Sequence, residues 1–314
     1  METRVVGFVG VGRMGSRMAR RILNGGFVVH AFDMSPDALS RVVADGAKRA
    51  VTPADVAKKS DVVITVLPEA AAVEMAVMGP DGIVSGLRPG SVVVEMSTIS
   101  PGLARKMAAI IEGRGACYLD CPVSGGLTAA EKGSLTVMVG GKADVLERCR
   151  DVLEPMAGSI YHMGDIGAGL TAKLINQLLT MTQTVLVTEA LAVGARSGMD
   201  LDVLYQLIGR SSGNSWCWQN RVPRILDRPA ETWVTLDICH KDLKLAKALG
   251  EELEVPLFVA DGAFQVLQMA KAMQLGKEDV SDLGRIYERM LGIRLEGSRL
   301  PREPQPAAPS GTSV

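Results

Sequence analysis

Short runs of consecutive Val, Ile and Leu alternate with stretches of helical period through the first half of the chain. The runs at 5–10, 28–33, 61–67, 91–96, 117–120, 134–139 and 159–163 predict strands. The stretches 13–25, 36–44, 53–58, 70–77, 101–113 and 142–156 between them predict helices. Unbroken apolar runs such as Val62-Val63-Ile64 fit strands covered on both faces, and the β–α alternation predicts a doubly wound, mainly parallel sheet. The pattern changes after Gly169. From Leu170 to Ser197 only Gly194 interrupts a run of helix formers, and Gly198 stands where a helix would end. At about 1.5 Å per residue that helix is roughly 40 Å long, which suits a connector between domains. From about 200 to 293 the period stays helical, with turns at 209–215 and 227–235. The expected division is an α/β domain over 1–165, an all-α domain over 166–295 that begins with the long helix, and a tail over 296–314. The prolines and small residues of that tail carry no apolar period and predict disorder.

The first predicted strand runs into Gly10-Val11-Gly12-Arg13-Met14-Gly15, and the second ends at Asp33. G-x-G-x-x-G between a strand and a helix is a dinucleotide fingerprint. Gly10 serves the turn, Gly12 lets the backbone approach a pyrophosphate, and Gly15 lets the helix pack on the strand. The first domain is therefore expected to be a Rossmann-type cofactor domain. An acid at Asp33 can accept the ribose hydroxyls and repel a 2′-phosphate, and Met34-Ser35-Pro36 place no cation beside it. NAD is expected over NADP; the alternative is an Asp33 that only caps the turn before Pro36. In such a sheet ligands sit beyond the carboxyl ends of the strands, which brings in Leu67-Pro68, Ser97-Thr98 and Ser124-Gly125-Gly126.

Bulk properties narrow the class. With 34 basic and 35 acidic residues and no basic stripe, no nucleic-acid partner is expected. No apolar run free of polar residues is long enough to span a bilayer and no signal-peptide pattern precedes the first strand, so no membrane partner and a cytoplasmic location are expected. Five cysteines without metal spacing and three histidines predict buried thiols and no metal site.

Lys173 stands one turn inside the long helix among small and apolar residues, with Asn176 and Gln177 at i+3 and i+4 on the same face. Burial lowers the pKa of a lysine and suits it to proton transfer, whereas a lysine on a wet face would do nothing. Trp216, Trp218 and Trp233 could line a pocket or fill a core.

Four motifs together resemble one family. They are Gly7–Gly15, Asp120-Cys121-Pro122-Val123-Ser124-Gly125-Gly126, Gly167-Ala168-Gly169 through Lys173 and Asn176, and Lys241-Asp242-Leu243. Over residues 4–293 the chain resembles the β-hydroxyacid dehydrogenases, the group of 3-hydroxyisobutyrate dehydrogenase and tartronate semialdehyde reductase. The resemblance implies that Lys173 is the catalytic acid/base and that Asn176 orients it. It implies that Ser124, Gly125 and Gly126 hold the carboxylate of a small substrate. Leu67, Pro68 and Thr98 would line the nicotinamide end, and Lys241, supported by Asp242, would reach the cofactor. Gln177 replaces the family's second asparagine and is expected to hydrogen-bond substrate, although its extra methylene puts the usual pose in question. Cys121 replaces a common alanine. The expected function is NAD-dependent interconversion of a short 3-hydroxy acid and its semialdehyde. The alternatives are reduction of tartronate, succinate or a sulfonated semialdehyde, an imine reductase, or a non-catalytic NAD-binding protein. The apolar surface of the long helix exceeds what one partner face needs, so a homodimer or homotetramer is expected.

Overall fold

The computed structural model describes residues 4–297. Most of the predicted tail, from residue 298, therefore lies outside the described residues; Glu296 and Gly297 lie inside them without regular structure. The strands are β1 (Val5–Val9), β2 (Val28–Phe32), β3 (Lys48–Arg49), β4 (Val62–Thr65), β5 (Val92–Glu95), β6 (Cys117–Asp120), β7 (Val123–Ser124), β8 (Leu135–Gly140) and β9 (Ala157–Gly164). The helices that connect them are α1 (Arg13–Asn24), α2 (Pro36–Ala44), α3 (Pro53–Lys59), α4 (Ala70–Met78), α5 (Ile83–Gly86), α6 (Pro101–Glu112), α7 (Gly126–Lys132) and α8 (Ala143–Leu153). Three of these helices start the same way. Ser35, Thr52 and Ser100 each accept the N–H of the residue three positions on, and a proline follows each at the first helical position.

The strands form one sheet in the order β3-β2-β1-β4-β5-β6-β8-β7, with β9 on β8. From β3 to β6 every pairing is parallel, while β8 runs antiparallel to β6 and β7. Successive residues of the central strands feed opposite faces. Val62, Ile64, Val92 and Val94 join a core with α1, α2 and α8, whereas Val63 and Val93 join a core with α3, α4 and α6. This is the doubly wound layering expected from the unbroken apolar runs.

The chain divides into two compact units between Asn176 and Gln177. The junction falls inside α9 (Ala168–Arg196), the long helix that the sequence places at Leu170–Ser197. The second unit continues with α10 (Leu201–Gly209), α11 (Trp216–Asp227), α12 (Leu236–Glu252), α13 (Phe258–Ala272) and α14 (Gly284–Leu291), so it is helical as expected. Within it α9 gives Met181 and Val185 to one apolar core and Val187 and Leu191 to another. By length and composition alone α9 could cross a membrane, a point the sequence reading discounted; core helices meet the same criterion, and 44% of its most apolar window is buried within the protein. Ile175, Leu179, Leu186 and Val193 form an exposed apolar stripe along the same helix.

Candidate functional site

The three fingerprint glycines are needed for three different reasons. Gly10 sits at φ +92°, and a Cβ there would lie 2.3 Å from the Val66 carbonyl oxygen. A Cβ on Gly15 would lie 2.1 Å from the Gly10 carbonyl, so the first turn of α1 packs directly on the loop. A Cβ on Gly12 would meet nothing within 4 Å. The fold has no use for that vacancy, and a pyrophosphate does. Gly12 is also the N-cap of α1, with no side-chain cap and no acid in the first turn, so the positive end of the helix faces an open position. Val11 is buried and Met14 packs on the core below, which leaves Arg13 as the exposed side chain of the loop.

Asp33 ties this loop to β2. One carboxylate oxygen accepts the Val11 N–H at 2.8 Å, and the other accepts the Ser35 N–H at 2.8 Å. The turn-capping role therefore exists. It does not exclude ribose recognition, because a carboxylate offers about four lone-pair sites and two are used here.

Behind the neighbouring strand ends lies a buried relay that the sequence reading missed. The Leu67 N–H donates to Ser97 Oγ at 2.8 Å, and the Ser97 N–H donates to Glu95 Oε1 at 2.7 Å. Glu95 thus holds both segments that carry Leu67-Pro68 and Thr98. It is fully buried, and its second oxygen, Oε2, has no hydrogen-bond partner among the described residues. Burial pushes its carboxyl up to about 7 against the hydrogen bond from the Ser97 N–H. In register, Thr65, Glu95 and Asp120 stand side by side on β4, β5 and β6. The sign of the resulting pH effect follows from proton counting. The folded chain holds this proton up to about pH 7 and the unfolded chain loses it near 4.5, so stability falls as pH rises through that window and is flat above it. Glu95→Gln removes the effect, worth about 3 kcal/mol in full. Thermal melts should therefore show its Tm gaining on the native protein between pH 5 and pH 8; parallel curves would contradict the buried proton.

Asp120 anchors the helix that carries Lys173. Its two oxygens accept the Gly167 N–H at 2.7 Å and the Leu170 N–H at 2.8 Å, which caps the start of α9. Burial raises its pKa, and these backbone bonds oppose the rise. Lys173, one turn further, is only 7% exposed, so the alternative of a lysine on a wet face is overturned. Asn176 is half-buried beside it on the same helix face. The Ser124 segment also differs from the expected loop. Ser124 ends the short strand β7, paired with Thr136 of β8, and Gly125 and Gly126 open α7 at φ +128° and +68°. Two consecutive glycines with positive φ after a strand form a backbone turn that other residues adopt only with strain, the kind of turn from which anion cradles are built. Both glycines are exposed and α7 has no side-chain N-cap.

In the helical unit, Gln177 Nε2 donates to Asp242 Oδ2 at 2.5 Å, and Lys241 Nζ lies 2.9 Å from Asp242 Oδ1. Asp242 therefore supports Lys241 as the resemblance implies. It also engages the Gln177 amide, a partner the sequence reading did not assign. Trp218 is a core residue whose Nε1 donates to the Tyr205 carbonyl, whereas Trp216 and Trp233 lie against the guanidinium groups of Arg221 and Arg224. Cys121 is a buried apolar group whose thiol is raised by burial.

A glycine loop between a parallel strand and a helix gives the first unit the build of a dinucleotide-binding domain, and the second unit is helical. Residues 5–164 match the NAD binding domain of 6-phosphogluconate dehydrogenase, and residues 167–287 match the domain described as NAD-binding of NADP-dependent 3-hydroxyisobutyrate dehydrogenase. The chain is 38% identical to 2-(hydroxymethyl)glutarate dehydrogenase of Eubacterium barkeri over 94% of its own length and 98% of that protein's. It is 36% identical to L-threonate dehydrogenase of Cupriavidus necator, over 94% and 99% of the two chains. A crystal structure of 3-hydroxyisobutyrate dehydrogenase from Salmonella typhimurium superposes with a TM-score of 0.83 at 35% identity, covering 90% of this chain and 99% of that one. The chain belongs to the β-hydroxyacid dehydrogenase family; it is an NAD-dependent dehydrogenase.

Proposed function

We propose that the protein interconverts a short 3-hydroxy acid, of the 3-hydroxyisobutyrate kind, and its semialdehyde, with Lys173 as general acid/base. The observation that carries this reading is the burial of Lys173 on a helix whose start is clamped by Asp120. A buried amine needs partners or a task to offset its desolvation, and proton transfer is such a task. NAD, when bound, accepts hydride from the carbinol carbon. Lys173 takes the hydroxyl proton as that hydride leaves and returns it in the reverse direction. Asn176 orients the amine. Ser124 Oγ and the N–H groups of Gly125 and Gly126 hold the substrate carboxylate, and Gln177, braced by Asp242, contributes a further polar contact to substrate. Leu67, Pro68 and Thr98 shape the nicotinamide end, with Glu95 fixing them from behind. Lys241 contacts the cofactor. The open position at Gly12 takes the pyrophosphate, and Asp33 takes the adenosine ribose.

The test is turnover against a panel of 3-hydroxyisobutyrate, 2-(hydroxymethyl)glutarate, threonate and serine with NAD, and of tartronate, succinate and sulfonated semialdehydes with NADH. Turnover of none would sink the proposal. Cofactor choice is a separate expectation. The native enzyme should favour NAD over NADP in kcat/KM, and Asp33→Ala with Met34→Arg should narrow or reverse the preference. Losing a charge-assisted bond to ribose is worth about 1.5–3 kcal/mol, or roughly tenfold to a hundredfold. A native preference for NADP would remove Asp33 from that role.

A further inference from the structure

Glu95 closes a central strand of the sheet and is 0% exposed. Its Oε1 accepts the Ser97 N–H at 2.7 Å, and its Oε2 has no hydrogen-bond partner among the described residues. The titratable groups that face it are Asp120 and Tyr118 on β6 and Cys121 just beyond them. Asp120, its register neighbour, is committed to the cap of α9, and burial keeps the Tyr118 phenol and the Cys121 thiol neutral. The helices packed on this face give it apolar side chains, Val56 from α3, Val73 and Val77 from α4, Ala104 and Met107 from α6 and Leu170 from α9. Their charged residues lie elsewhere. Lys59 pairs with Asp55 and Lys106 with Glu74 at the surface, and Arg105 Nη1 would lie 2.9 Å from a Cβ on Gly167. A carboxyl in such a setting is stable as the neutral acid, because ionising it would put charge on a bare oxygen beside the Asp120 carboxylate.

The contacts of this acid lead to the cofactor loop. Ser97 Oγ accepts the Leu67 N–H at 2.8 Å, and Thr98 follows Ser97 directly. Leu67 borders the glycine loop, since a Cβ on Gly10 would lie 2.8 Å from Leu67 Cδ2. The Val66 N–H donates to the Val9 carbonyl at 3.0 Å, so the segment after β4 and the loop after β1 lie side by side. A shift of Ser97 therefore moves chain that touches the dinucleotide loop. We propose that Glu95 is a positioning residue for NAD: as a neutral acid it holds the Leu67-Pro68 and Thr98 segments, through Ser97, where the nicotinamide needs them, and on ionising it releases them. The ionised group can be solvated only by turning away from Ser97 or by admitting water, and either loosens the bond that fixes Ser97. Burial places the change at about pH 7. The protonated form is the one that fits the cofactor, so affinity is full below that pH and falls as pH rises through it. The inference rests on the placement of Leu67, Pro68 and Thr98 at the nicotinamide end, and it needs neither the proposed substrate nor Lys173.

The test titrates NADH, and separately ADP-ribose, into the native protein, E95Q and S97A from about pH 6 to about pH 8. Native affinity for NADH should fall by about threefold to tenfold across that range, as for a group whose proton is held up to one pH unit more tightly with cofactor than without. E95Q keeps an acceptor oxygen for the Ser97 N–H and has no proton to lose, so its NADH affinity should stay at the native low-pH value throughout. S97A cuts the link to Leu67. Its NADH affinity should be about threefold to tenfold weaker already at the low end, the effect of one neutral hydrogen bond, and should not change with pH. Its Tm should still show the pH dependence that E95Q abolishes, which separates the relay from a purely structural role. ADP-ribose, which lacks the nicotinamide, should bind all three proteins without the slope. A flat native NADH profile, or equal slopes in native and E95Q proteins, would overturn the role of Glu95. A native slope kept in S97A would overturn the relay through Ser97. An equal slope for ADP-ribose and NADH, lost in E95Q and S97A, would leave the relay standing and overturn the assignment of Leu67, Pro68 and Thr98 to the nicotinamide. The binding data stand apart from turnover, so an enzyme that oxidises none of the proposed acids would overturn the proposed function and leave this inference in place.

Discussion

Gly12→Val is expected to melt like the native protein and to bind NADH about a hundredfold or more weakly, whereas Gly15→Val is expected to fail as a fold. The two residues belong to one motif and differ only in what surrounds them. Gly12 has φ −66°, which any residue can adopt, and a Cβ there meets nothing within 4 Å. Added carbons therefore cost the protein little and occupy the position left for the pyrophosphate. Two lost charge-assisted bonds at about 1.5–3 kcal/mol each account for the expected loss of affinity. At Gly15 the added Cβ would lie 2.1 Å from the Gly10 carbonyl, and neither backbone can retreat without moving α1 off β1. Overpacking of that kind costs about 1–3 kcal/mol, and more where only backbone can yield. Tm and an NADH fluorescence titration separate the two cases. A native Tm in Gly15→Val, or native NADH affinity in Gly12→Val, would contradict this division of labour.

The parts of the fold that announce themselves in sequence are those with a period. Val62–Thr65 and Val92–Glu95 read as buried strands because residues on both faces are apolar, and both faces are covered. The Ser-Pro and Thr-Pro pairs mark helix starts because they place a cap and a fixed φ in sequence neighbours. Two-residue strands such as β3 and β7, and single-turn α5, are too short to show any period. That is why Ser124 reads as a loop residue and is found at the end of a strand. Long-range pairings are invisible for another reason. Asp120 caps a helix start 47 and 50 residues away, and Gln177 meets Asp242 across 65 residues. Neither partner carries a local mark of the other. Glu95 did leave a trace, a lone acid closing a run of valines at the carboxyl end of a central strand. An acid there must be either neutral or held by donors, and it is held at one oxygen and bare at the other.

Lys173→Ala should lower kcat by about 10²–10⁴-fold, the usual contribution of a positioned acid or base, with NADH affinity close to native. The fold should survive. Lys173 is 7% exposed, and the start of its helix is held by Asp120 through backbone N–H groups, not by the lysine. Lys173→Arg should recover little, because guanidinium keeps its proton and has none to exchange with the substrate hydroxyl. A small primary amine such as ethylamine should restore part of the activity to the alanine variant and none to the arginine variant, whose side chain fills the space. The comparison with Asp120→Asn sharpens the assignment. That variant replaces one acceptor oxygen of the helix cap with a donor, so it should lose stability and activity together, whereas the lysine variant should lose activity alone. Steady-state kcat, NADH titration and melting curves on the same preparations read all of this. Turnover within a few-fold of native in Lys173→Ala, or ethylamine rescue equal in both lysine variants, would mean that another group moves the proton.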